Sequence, residues 1–211
     1  MTTHTIPGEL FLLLTNDAGR QDSTQFRRQA LAAAAVAELA LREKIALSEE
    51  RAPRVSVTDP SPLDIPVLDQ ALGALTALDG KRVTAVISHR SMDLTEVIGA
   101  AFEAAGVVIR KDVWFITTWP THDDTLETAL RARLAAAVQD LGTASLQDGI
   151  LLEMLRALKI AHRILKDDLP GIGRRDLDRR ITSLHIDHPA AKAVKRVVDD
   201  MSVVMMAASS G

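Results

Sequence analysis

The stretch FRRQALAAAAVAELALR, from Phe26 to Arg42, is made of strong helix formers, Ala, Leu, Arg and Gln. Leu31, Val36 and Leu39 stand among alanines small enough to let neighbouring helices approach closely. A buried helix is expected there. On its N-terminal side, Ile6 to Leu14 is apolar apart from Glu9 and runs into the turn formers Asn16, Asp17, Ala18 and Gly19. That segment reads as a short buried helix. On the C-terminal side, Ile45 to Leu47 and Val55 to Thr58 are β-type runs separated by charged residues and Pro53, which predicts a small hairpin. Asp59-Pro60-Ser61-Pro62 stops it.

Further along, Ile65, Leu68, Leu72, Leu75 and Leu78 recur at spacings of three and four, with Pro66 in the first turn and Gly80 past the end. Leu94, Val97, Ile98, Ala101 and Phe102 repeat the pattern up to Gly106, a natural left-handed stop. Val107-Val108-Ile109 and Val113 to Thr117 then bracket Arg110-Lys111-Asp112, which reads as a second hairpin. Leu126, Leu130, Leu134, Val138 and Leu141 form one stripe, and Leu146 to Leu165 is apolar on nearly all sides, as a central helix would be. Helices at Arg174 to Leu184 and Pro189 to Met206 close the chain. With no internal repeat, low-complexity tract or long linker, the expected architecture is mainly α. It is a single compact helical domain over residues 1–211, with one or two small β-hairpins and short disordered ends.

The 211 residues, 47% hydrophobic and 25% charged, suit an ordinary globular protein. A chain of this length buries roughly 70% of its unfolded surface, so the core needs no metal or staple. The absence of cysteine excludes a disulfide framework, thiolate metal sites and a cysteine nucleophile, and suggests a reducing compartment. The N-terminus lacks the order of a signal peptide, and the longest apolar run, Ala30 to Leu41, is too short to span a bilayer. A cytoplasmic protein that can visit a membrane surface is expected. Net charge of −3 gives no global attraction to nucleic acid or anionic lipid. Arginine supplies 18 of the 25 basic residues and alanine is abundant, a bias of high-GC bacterial genomes.

Candidate chemistry is sparse. There is no Gly-x-Ser-x-Gly elbow, and His185, Asp187 and His188 form an incomplete ligand set beside Pro189. His122, Asp123 and Asp124 sit where a helix begins, which their interaction with the helix dipole explains, and His162 falls within the central helix. Gly171-Ile172-Gly173 beside Arg174-Arg175 lacks the preceding strand of a phosphate loop, and the alternating charges up to Arg180 suit a solvated helix face. Neither enzyme, metal nor cofactor is expected. The second hairpin differs, because Trp114, Phe115 and Trp119 are three of six aromatic residues in the chain. Beside Arg110 and Lys111 they suit a membrane interface. A hairpin packed on helices, with its rings in the core, accounts for them equally well.

Several stretches together resemble the Golgi phosphoprotein 3 family. They are Pro7-Gly8-Glu9-Leu10-Phe11-Leu12-Leu13-Leu14, Ala37 to Arg42 leading to Ile45-Ala46-Leu47, and Asp59 to Pro62 through Val67 to Leu72. Gly106-Val107-Val108 and Asp176 to Ile181 extend the resemblance, which runs from Ile6 to about Met206. It implies an all-helical peripheral membrane protein that binds phosphatidylinositol 4-phosphate and inserts an apolar hairpin into the bilayer. In eukaryotes such proteins link glycosyltransferase tails to a vesicle coat. The family's headgroup pocket uses a tryptophan, an arginine and two further basic residues. Alignment on Glu38 to Leu41 and on Gly106 puts Ser23, Ala32, Met92 and Thr95 at those places, so the eukaryotic pocket is not expected here.

The resemblance places Val113, Trp114, Phe115 and Ile116 on the apolar strand of the membrane hairpin, and the concentration of aromatic residues adds Trp119 to it. Arg27, Arg28, His89, Arg90, Arg110 and Lys111 are the candidate contacts for an anionic headgroup. The reading is a non-enzymatic lipid-binding or adaptor protein on the inner face of a membrane, without nucleic acid; a protein cargo and a homo-oligomer stay open as partners. The rival is a winged-helix-like DNA-binding regulator over residues 26–58. There Arg42, Lys44, Arg51 and Arg54 are offset by Glu38, Glu43, Glu49 and Glu50, whereas a DNA-reading face is strongly basic.

Overall fold

From Ala30 to Ala40 every residue of the alanine-rich run is buried. A helix apolar on all sides has no face to offer water, so it becomes the axis on which others pack. In the computed structural model, which describes residues 4–21, 24–140, 142–184 and 191–209, this helix is α2 (Arg27–Leu41), preceded by α1 (Ile6–Leu13). Around it lie α3 (Pro66–Ala77), α4 (Val83–Ser88) and α10 (Ala191–Ser209). The others are α5 (Thr95–Ala104), α6 (Thr125–Gln139), α7 (Leu146–Ala157), α8 (Ala161–Leu165) and α9 (Arg174–Thr182). The described residues thus hold ten α-helices in a fold that is 58% helical. Two antiparallel two-stranded sheets complete it, β1 (Ile45–Leu47) with β2 (Val55–Val57), and β3 (Lys111–Val113) with β4 (Ile116–Thr118). One hydrophobic cluster draws side chains from all ten helices.

The mainly α expectation holds, with differences that have local causes. The apolar stretch from Leu146 to Leu165 is two helices rather than one. Lys159 adopts φ +62°, Ile160 N–H donates to Leu155 O and Lys159 N–H to Arg156 O, which is a Schellman stop built with lysine in the place of glycine. Glu43, at φ +58°, ends α2 in the same way. Helix α4 and the 3₁₀ turn Arg90–Met92 are too short for periodicity to announce them. Leu141, His185, Asp187, His188, Pro189 and the chain ends lie outside the described residues.

Buried charge ties the helices together. Arg133 of α6 forks between Glu9 of α1, at 2.6 Å, and Asp148 of α7, at 2.7 Å. Glu38 accepts the Ile6 N–H at 2.8 Å, satisfying a free donor at the start of α1, and takes two more hydrogen bonds from Arg42. Burial pushes the Glu38 carboxyl above the ordinary glutamate range, against the hydrogen bonds from Arg42 and Ile6. A group with a raised folded pKa stabilises most below its unfolded pKa and loses that contribution as pH rises through the folded value. Urea titrations between pH 4 and 7 should therefore show this slope in the native chain and lose it in Glu38→Gln. In Glu38→Ala the unsatisfied Ile6 N–H should cost about 1–3 kcal/mol.

Candidate functional site

The chain leaves α5 through Gly106, at φ +74°. Val107 and Val108 are buried, and Val108 bridges Thr121. From there β3 and β4 rise as a ribbon with Lys111 opposite Thr118, Asp112 opposite Thr117 and Val113 opposite Ile116. Trp114 and Phe115 are left as a two-residue turn. This corrects the placement of Arg110-Lys111-Asp112 between strands: the charged residues enter and form the first strand, and apolar residues make the tip. Arg110 and Asp112 have partners in this register. Arg110 Nε donates to Asp112 Oδ2 at 2.9 Å, and Thr117 Oγ1 donates across the ribbon to Asp112 Oδ1 at 2.7 Å. Arg110 holds Asp112 below the usual carboxylate range, helped by Thr117.

The tip carries two marks. Tight hairpin turns need positive φ, for which Gly or Asn is usual, yet Trp114 occupies φ +58°. Such a conformation costs a bulky residue about 1–3 kcal/mol and persists where the surroundings impose it. The second mark is exposure: Trp114 is 91% accessible, Phe115 100% and Ile116 66%. Single exposed apolar residues are ordinary, whereas a contiguous cluster marks an interaction surface. Val113 joins the ribbon by register, and its side chain lies outside the described residues.

Trp119 belongs to the core, not to the tip. It is 1% exposed, and its ring lies so close to Gly99 of α5 that a Cβ there would stand 2.3 Å from it. Trp119 N–H donates to Gly19 O, and Thr121 N–H to Asp17 O, fastening the ribbon's root to the α1–α2 loop. The guanidinium of Arg110 covers the ring, 5.3 Å from its centroid. Glycine inside a helix costs about 1 kcal/mol relative to Ala, so Gly99 was the available sign of a close approach.

The six candidate cations differ in their surroundings. Arg110 is engaged by Glu96 as well as Asp112, whereas Lys111 is exposed with no carboxylate in ion-pair reach among the described residues. Arg27 turns inward, donating to Thr15 Oγ1 at 3.2 Å and lying 5.5 Å from the Phe11 ring centroid. Arg28 is half-buried and Arg90 exposed. His89 is spent on its own turn, its Nδ1 lying 2.7 Å from Ser91 Oγ. Elsewhere, a groove of about 720 Å³ between Phe26, Leu158 and Met205 is lined by none of the predicted site residues.

No helix among the described residues is long and apolar enough to cross a membrane. The model of the Golgi phosphoprotein 3 (GPP34) family matches residues 6–201, nearly the whole chain. The chain belongs to the Golgi phosphoprotein 3 family. A comparison with curated proteins found no match. Of the four positions aligned with the Golgi phosphoprotein 3 headgroup pocket, Ala32 and Met92 are fully buried and Thr95 is half-buried at the start of α5. Ser23 lies outside the described residues.

Proposed function

We propose that this member of the family is a non-enzymatic peripheral membrane protein that docks by inserting Trp114, Phe115 and Ile116 into the interfacial layer of a bilayer. The observation that carries this reading is the bare aromatic tip held in a strained turn. Burying each large apolar side chain contributes about 1.5–3 kcal/mol, so a tip of three can hold a protein at a surface. Arg28, Arg90 and Lys111 add a diffuse attraction to anionic headgroups on the inner face of a membrane, and a protein cargo or a second copy of the chain would assemble there. The buried carboxylates Glu9, Glu38 and Asp148 serve as helix ties, which supports a non-enzymatic role.

Ala32 and Met92 offer no cation and no exposed surface, which supports a chain without the family's phosphoinositide pocket; headgroup selection needs fixed charge-assisted donors. The test is sedimentation with charge-matched anionic vesicles, with and without phosphatidylinositol 4-phosphate. It is run at 0.1 and 1 M salt, where the Debye length falls from about 10 to about 3 Å. Equal binding to both vesicles, weakened but not abolished by salt, is expected. Selective, salt-resistant capture by the inositol lipid would overturn the loss of the pocket, and no binding to any vesicle would overturn the docking reading.

A further inference from the structure

The face that α5 turns to the hairpin is built from Glu96, Gly99 and Glu103, whose spacing of three and four sets them on one stripe. Gly99 supplies a flat seat for the Trp119 ring. On either side of it, Glu96 takes the Arg110 guanidinium and Glu103 Oε1 accepts the Arg110 backbone N–H at 3.1 Å. Arg110 then continues to Asp112, and Asp112 to Thr117 of the opposite strand. A continuous chain of hydrogen bonds therefore runs from α5 through both strands, with the guanidinium plane closing over Trp119. Counting Arg110 and Lys111 against Glu96, Glu103 and Asp112, the root carries no excess of positive charge.

From this we infer that Arg110 is a positioning residue, a clamp that fixes the angle of the hairpin arm to α5, and not a headgroup contact. The inference rests on the docking reading for its purpose, since a fixed arm presents the tip to the bilayer in one orientation. Its geometry stands independently of that reading. Only arginine can fill the role, because its planar fork donates in several directions while stacking on an aromatic ring, whereas a lysine ammonium is a compact, strongly hydrated point charge.

The test uses the full chain, which has no cysteine of its own. Cysteines introduced as Phe115→Cys at the tip and Ala132→Cys on the exposed side of α6 carry spin labels, and their distance distribution is read in solution without vesicles. One narrow distance is expected with Arg110 and a broad distribution with Arg110→Lys, Arg110→Ala and Glu96→Gln. Circular dichroism checks folding, and should Arg110→Ala fail to fold, the two size-matched variants carry the test. Distances equally narrow in every variant would overturn the clamp. In the unlabelled chain with Phe115 and Ala132 restored, Arg110→Lys should lose vesicle binding by the same factor at 0.1 and 1 M salt. Unchanged binding, or a loss confined to low salt, where an exposed charge acts, would overturn it too. If the native chain ignores vesicles while the distance still broadens, the docking reading fails and the clamp stands.

Discussion

Replacing Trp114 and Phe115 together by Ser should lower vesicle partitioning at least about a hundredfold, from about 3 kcal/mol or more of lost ring burial. The midpoint of urea unfolding should hardly move. Both rings are bare in the free protein, and substitutions at such positions usually stay within about 0.5 kcal/mol. Trp114→Gly separates the two properties further. Glycine accepts the left-handed turn without strain, and its greater freedom in the unfolded chain offsets part of that gain. Stability should be equal or slightly higher while binding falls. A variant that lost stability and binding together would show that the turn depends on the tryptophan for its own folding.

Substitutions at the root should behave in the opposite way. Trp119→Ala removes a fully buried ring and should cost about 3–5 kcal/mol of folding stability. Gly99→Val should approach that effect from the other side, since even a first Cβ would collide with the Trp119 ring and overpacking typically costs about 1–3 kcal/mol. Chemical denaturation measures both. If Gly99→Val were neutral, the ring would have room that the geometry denies it, and the hairpin's seat on α5 would be looser than described.

The hairpin shows where sequence is informative and where it is not. Patterns of three and four announced α3, α5 and α6, because those helices bury a stripe long enough to count, while the run of helix formers announced α2, which is buried on all sides. Gly106 marked the left-handed stop of α5, and Gly80 a left-handed turn just past α3, in the residue type that favours them. Glu43, Trp114 and Lys159 adopt the same backbone region without that sign, so the division of α7 from α8 and the position of the hairpin turn were hidden. Turn chemistry favoured the charged Arg110-Lys111-Asp112, and long-range partners overrode it: Glu96 and Glu103 lie on another element, which no local pattern reveals. The two tryptophans, five positions apart, were indistinguishable by type. Gly99, distant in sequence, is what draws Trp119 inward, while the register leaves Trp114 at the end of the ribbon.

Entry of the tip into the bilayer is read out by tryptophan fluorescence with brominated lipids. The chain has only two tryptophans, and Trp119 is sealed in the core, so a change on adding vesicles reports Trp114. A blue shift and quenching by bromines placed just below the headgroups are expected, both lost in Trp114→Phe. An emission spectrum unaltered by vesicles that nevertheless sediment the protein would rule out entry of the tip and show that the chain reaches the membrane through another surface.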